Sequence, residues 1–531
     1  MSTIAAQTVA RTRPFAEPGR AGPAGTEALH ALGEPPDDDL IARAEASWQA
    51  GDIDGAAVLL DGTADDGDPA VATLLSAVWA ARAMMPVAAD IAQRAGDDGA
   101  LATAGVTQIA AGRLDAPPAA AADTAPTTLG IALAALTAGL RSSLEPEVPA
   151  DTLSELARAS RLYTCARAAT PVPELPAVIA AAAAVGLGEL PTATAVIDAA
   201  VAEGQGGAWA RRRLLLWQAW LAVQCEQPGQ AQESLRAAQE IDHVFTPRDR
   251  FIETAVRVAL TRRYEEVAEL ELLWAQVRNE VQQIDVDLFL VLPLATMISA
   301  VARIGDDRTL APLQAEALDL LARLGSPPAW SAHLRWAGIQ QGILLDHPDM
   351  LAPHAHALVE AAAHSAIAAT MARAGRLWTA VLAGHVDPDA VELSATELAE
   401  CGLAWDGARL AGHGAARSDD RRVSARLLAC ARHLHPPTPT TPAAAPAESS
   451  TPAPAHPAGL SDREIEVARL VVEGRTYAEI GAAIFISPRT VEHHIARIRQ
   501  RLQATTRSDL VARLRVVLTE MDAAQAATAE G

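Results

Sequence analysis

Between Ser487 and Leu502 the chain sets four arginines, Arg489, Arg497, Arg499 and Arg501, against a single acid, Glu492, with His493 and His494 between them. On a helix these side chains lie off the stripe of Val491, Ile495, Ile498 and Leu502, which recur at three- and four-residue steps as one apolar face. Guanidinium groups gathered along one helix suit phosphate oxygens, and Arg489, Glu492 and His493 are of types that read base edges. Thr476, Ser487, Thr490, His494, Arg497 and Arg501 supply hydroxyl, imidazole and cationic donors for the backbone contacts. The chemistry is recognition, with no bond made or broken.

Other clusters are weaker. His356, Glu360 and His364 are spaced four apart beside His354, so on a helix they share a face that could ligate a metal. No cysteine or second acid joins them, and a solvated face after Pro353 is the plainer expectation. Arg211, Arg212 and Arg213 precede Trp217 and Trp220, a combination that could stack and bind nucleic acid. Three consecutive helical residues point three ways, however, so the tryptophans are expected between helices. Cys165, Cys225, Cys401 and Cys430 form no C-x-x-C pair and read as reduced, mostly buried thiols. No nucleophilic triad, paired carboxylate or nucleophile elbow stands out, so neither catalysis, a cofactor nor a metal is expected. The chain contains no lysine, which excludes a G-x-x-x-x-G-K-[ST] phosphate loop and argues against an ATPase.

The arginine-bearing helix must be held by its neighbours, and the stretch 460–518 provides them. Ser461 with Glu464 is a capping box opening a first helix that ends at Gly474; Thr476 with Glu479 repeats the device for a second. Ser487 followed by Pro488 opens the third after a tight turn, and Thr506 with Asp509 opens the fourth. Ile465, Ala468, Leu470 and Val471 face inward on the first helix, as do Ile480 and Ile484 on the second. Two helices so closely joined make a helix-turn-helix, with the second as reader.

The same stretch resembles the DNA-binding domain of the LuxR family, also called the NarL/FixJ type. The residues that carry the resemblance are L-S-x-R-E-x-E-V from Leu460, E-G-x-T-Y-x-E-I from Glu473, F-I-S-P-R-T-V-E-x-H from Phe485, and R-L-x-x-x-x-R-S-D-L from Arg501. Two positions depart from it: Gln503 stands where the family usually has Gly, and Glu492 where Lys is frequent. The resemblance implies a transcriptional regulator that binds double-stranded promoter DNA as a homodimer, with the last helix, through Leu510, Val511 and Leu514, making the dimer contact.

Charge agrees with that division. The 531 residues carry a net charge of −22, yet residues 460–518 hold ten Arg against seven acids and are the basic part. So small an excess suits paired binding to two half-sites.

The rest is expected to be all-α, since half of the residues are apolar, mostly Ala, Leu and Val, and aromatic residues are only 3%. Residues 1–36 read as disordered and 37–435 as helix after helix, with 519–531 an acidic disordered tail. Small residues follow turns at Gly51, Gly112, Gly188, Gly229, Gly305, Gly375 and Gly402, as in tetratricopeptide-type hairpins, though at irregular spacing. The expected architecture is a degenerate TPR-like α-solenoid whose face could take a peptide, a small-molecule effector or RNA polymerase. Leu398 to His435 is similar to the last helical repeats of large LuxR-type regulators. Residues 436–458, rich in Pro, Ala and Thr, form a semi-extended linker reaching ~70 Å at full extension. The start of the chain has no apolar signal-peptide core, and the runs Ala177–Leu187 and Leu288–Ala302 are too short for a bilayer, so a cytoplasmic, nucleoid-associated protein is expected. The competing readings are an interaction scaffold with a vestigial helix-turn-helix, a sigma-factor-like promoter reader and, last, an ATPase of unusual type.

Overall fold

Seven helices of the helical region begin on proline, at Pro69, Pro176, Pro228, Pro247, Pro328, Pro348 and Pro388, where the missing N–H costs nothing and φ is already helical. Asp52, Thr127, Thr246, Ser365, Asp387 and Asp420 cap other starts or the same ones, each side chain accepting a first-turn backbone N–H. These local signals divide an alanine-rich chain into short helices. The computed structural model describes residues 40–60, 69–94, 101–114, 127–167, 171–265, 267–435, 462–472 and 510–518, with single positions at 475, 495, 498, 499, 502 and 504. The expected disordered start, linker and tail lie outside these residues. Among the described residues every regular element is helical. The chain divides into two compact units, 1–438 and 439–531.

In the first unit sequence neighbours pack in pairs. A row of alternate helices packs each on the next: Ala208–Gln224, Pro247–Tyr264, Val291–Val301, Pro328–Leu345, Ala366–Leu382 and Ala404–Arg417. The intervening helices form a second layer against that row. Junction glycines take left-handed φ where the chain reverses, as at Gly51 (φ 87°) and Gly402 (φ 83°), which an L side chain would strain. Gly375 is different. It lies inside the helix Ala366–Leu382, where no turn is made and an added Cβ would meet Trp336 and Ile339 only at an ordinary 3.8 Å. Gly229 likewise lies inside the helix Pro228–Gln239 without a left-handed φ.

One helix is buried on every side. Pro176–Gly186, with five consecutive alanines, packs against Thr152–Cys165, Leu190–Glu203 and Pro328–Leu345, and none of its residues is exposed. Only small side chains let a helix be surrounded so closely. At its end Gly186 meets the Ala329 carbonyl so tightly that an added Cβ would sit 1.8 Å from the oxygen.

The charged core was not visible locally. Arg213 and Arg248 are buried with Glu174, Asp249 and Asp287. Arg213 donates to both Glu174 oxygens at 2.9 and 3.0 Å and to Asp249; Arg248 donates to Glu174 at 3.2 Å, to Asp287, and to the Ala80 carbonyl at 2.8 Å. Arg212, the next residue, donates to the carbonyls of Ala238, Ile241, His243 and Val244, closing the end of the helix Pro228–Gln239. Arg211 alone of the triplet is exposed, and Trp217 and Trp220 are buried, so no basic patch forms there.

Candidate nucleic-acid interface

The second unit is built around a small apolar core. The helix Asp462–Val472 contributes Ile465, Val467, Ala468 and Val471, the third segment contributes Ile495 and Ile498, and the helix at 510–518 contributes Leu510, Leu514, Val517 and Leu518. Leu470 and Leu502 are partly buried against it. Of the inward residues expected from three- and four-residue spacing, Ile465, Ala468, Leu470, Val471, Ile495, Ile498 and Leu502 pack here, with Val467 added, while Ile480, Ile484 and Val491 lie outside the described residues.

Helix ends in this unit are held in one recurring way. The Arg475 N–H donates to the Leu470 carbonyl at 3.2 Å, the six-to-one bond of a Schellman end; Gly474, the expected end of the helix, lies outside the described residues. The Ala504 N–H donates to the Arg499 carbonyl at 3.0 Å in the same pattern, and here the corresponding residue is Gln503. Two arginines brace that glycine-less turn. Arg499 Nε donates to the Ala504 carbonyl at 3.0 Å, and Arg513 Nη1 to the Leu502 carbonyl at 2.8 Å. Arg499, which the charge pattern alone would place on phosphate, thus has structural work at the turn.

Thr476, Ser487, Arg489, Thr490, Glu492, His493, His494, Arg497 and Arg501 lie outside the described residues. What the described ones give is the frame: Ile495 and Ile498 are buried in the core while Arg499 is exposed. On the last helix Leu510 and Leu514 are 3% and 1% exposed, spent on the unit's own core. Val511 is partly buried, and Ala512, Arg513, Arg515 and Val516 face outward.

The remaining candidate groups resolve simply. His356 Nε2 stands 3.2 Å from Glu360 on an exposed face, His364 is exposed, His354 fills the notch at Gly338, and among the described residues no set of three metal-ligating side chains gathers. The cysteines are less buried than their type suggests: Cys165 is exposed and the other three are half-buried, because Cys165, Cys225 and Cys401 sit at helix ends. Burial holds the thiols of Cys225, Cys401 and Cys430 above their ordinary pKa. Among the described residues no helix is long and apolar enough to cross a membrane.

Comparison with known proteins bears on this unit alone. Residues 458–514 match the family model of bacterial regulatory proteins, luxR family. Over 55 residues the chain is 42% identical to the spore germination protein GerE of Bacillus subtilis (strain 168), a match spanning 10% of this chain and 74% of that protein. That family is a DNA-binding, non-enzymatic one, and its helix-turn-helix coincides with the braced unit just described. The chain belongs to the luxR family of bacterial regulatory proteins, with a DNA-binding helix-turn-helix at its C-terminal end.

Proposed function

We propose that this regulator binds promoter DNA as a homodimer through residues 459–518 and that its helical region, a degenerate tetratricopeptide-like solenoid over 37–435, governs that binding. The single observation that carries the reading is the match over 458–514, which falls on a stretch where arginines outnumber acids in an acidic chain. Arg489, Glu492 and His493 read base edges in the major groove. Thr476, Ser487, Thr490, His494, Arg497 and Arg501 hold phosphates. With Leu510 and Leu514 committed to the core, the two copies meet on the neighbouring side of the last helix, around Val511 and Val516. Residues 436–458 are the tether, and the protein works in the cytoplasm at the nucleoid.

The supporting physics is electrostatic. Residues before 460 repel DNA through their excess of acids, so the basic end is presented to it. Arg489→Ala is expected to weaken duplex binding by about 1–3 kcal/mol and to relax base preference, whereas Arg497→Ala weakens binding to all sequences alike. Fluorescence anisotropy with an operator and a scrambled duplex separates the two. Unchanged affinity in both variants refutes the docking.

A further inference from the structure

The helix Pro247–Tyr264 ends in two adjacent arginines with different fates. Arg263 is answered: it donates to Glu226 at 3.0 Å, to the Val223 carbonyl at 2.5 Å and to Gln224 Oε1 at 2.8 Å. Arg262 is 6% exposed and makes one bond, from Nη1 to Ser299 Oγ at 2.7 Å; its Nε and Nη2 are buried without a partner. Both residues line a cavity of about 60 Å³ on the inner row of helices, closed on one side by the turn at Cys401–Leu403.

Two of the other unpartnered groups on this wall are amide donors. Gln224 gives its oxygen to Arg263 and Gln340 gives its oxygen to Arg409 at 2.5 Å, so each amide turns an N–H₂ group with no acceptor toward the cavity. His333 is buried beside them, its Nδ1 unpartnered and its pKa brought down to about 4 by burial, so the ring is neutral. Arg262, Gln224 and Gln340 thus bring unpartnered donors to a cavity that Thr296, Ser299 and Asp406 also line, and those donors suit an oxyanion.

Charge points the same way. Arg303 and Arg409 lie within electrostatic reach of Arg262, and Arg303 donates to the Arg262 carbonyl at 2.7 Å. Against Arg262, Arg263, Arg303 and Arg409 stand Glu226 and Asp406, and Asp406 is already engaged by Trp336 Nε1 at 2.9 Å and by Arg409 at 3.5 Å. Among the described residues no carboxylate forms an ion pair with Arg262 or Arg303. A buried guanidinium whose counter-charge, Asp406, is shared with Arg409 and Trp336 is costly and persists where something else adds to that charge. Trp220, Trp336 and Trp405 complete the walls, with the Arg262 guanidinium 4.3 Å from the Trp405 ring centre.

We infer that this cavity is a binding site for a small organic anion, a single carboxylate or phosphate on a body no larger than one ring, with Arg262 as its counter-ion and Gln224 and Gln340 as hydrogen-bond donors. The inference names the kind of effector the helical region takes, but it stands on the cavity alone and does not depend on DNA binding.

The test uses the full chain with acetate, benzoate or inorganic phosphate titrated against chloride at constant ionic strength, read by melting temperature and tryptophan fluorescence. At least one of the three is expected to give a saturable rise in melting temperature with a matching fluorescence change. Arg262→Gln should weaken that binding tenfold or more, as loss of a charge-assisted bond implies, while Arg211→Gln, altering an exposed arginine outside the cavity, leaves it intact. Without added anion Arg262→Gln should melt at or above the unaltered protein. A carboxylate response without a phosphate one, or the reverse, identifies the group bound. No saturable response to any of the three, equal binding by Arg262→Gln, or an Arg262→Gln protein that melts far below the parent in chloride overturns the inference.

Discussion

Replacing Arg248 with Met tests the buried charge cluster that fastens the helical region. Arg248 is wholly buried and bridges Glu174, Asp287 and the Ala80 carbonyl, joining segments as distant in sequence as 80 and 287. The cluster holds two guanidinium groups against three carboxylates, and the substitution leaves one against three. Removing one partner from a buried ionic set costs about 3–5 kcal/mol, because the remaining charges stay desolvated. The loss has a pH signature. Burial holds the Asp287 carboxyl above its ordinary value, opposed chiefly by Arg248 and helped by Glu174. Without Arg248 it rises further. A carboxyl whose folded pKa is raised contributes stability that is complete below its unfolded value and is lost as pH rises through the folded one. The deficit of Arg248→Met is therefore greatest at high pH and shrinks as the pH falls through the raised Asp287 pKa. Adding Asp287→Asn should recover part of the loss, with a coupling of about 1–3 kcal/mol. Urea unfolding followed by tryptophan fluorescence measures all three variants. A deficit below about 1 kcal/mol at pH 7, or strict additivity with Asp287→Asn, refutes the reasoning.

Other consequences concern packing and acid. Gly186→Ala places a methyl group 1.8 Å from the Ala329 carbonyl, so a helix must move; overpacking costs of about 1–3 kcal/mol outweigh the ~1 kcal/mol gained in helix propensity, and thermal unfolding should show a net loss. His333, His354 and His413 are each held near pKa 4 by burial, with nearby arginines adding to the shift at His354 and His413. A histidine with a depressed folded pKa lends stability above its unfolded value that is lost as pH falls, so stability should decline between about pH 6.5 and 4. His413→Gln should soften that decline in a melting series, since Trp378 Nε1 now donates to the His413 ring at 3.3 Å and protonation would break the bond.

What the sequence told and withheld follows interaction range. In the C-terminal unit the signals were local: the spacing of Ile495 and Ile498 and of the inward residues of the first helix marked which side of each element packs, although their core partners lie on other elements. The departure at Gln503 was visible, but its remedy was not, because Arg513 reaches back eleven residues to Leu502. In the helical region glycine at a small-residue site looked the same whether it made a turn, as at Gly402, or lay inside a helix, as at Gly375. Arginine was harder still. Nothing near Arg212, Arg213 or Arg248 in the sequence marks them for burial, and they are bonded by partners 26 to 168 residues away. The cavity at Arg262 draws residues from 185 to 406, a gathering that no local spacing announces. Its one trace in composition is that the ten tryptophans outnumber phenylalanine and tyrosine together.

The account's central claim is that the basic C-terminal unit grips duplex DNA through its phosphates. Equilibrium binding of the full chain to a duplex containing its operator, measured from about 50 to 200 mM salt, tests it directly. A log–log plot of affinity against salt should be linear with a steep negative slope, and Arg497→Ala should flatten it by about one unit for each copy bound. Binding that is absent at 50 mM salt, or that ignores salt across the range, contradicts the claim.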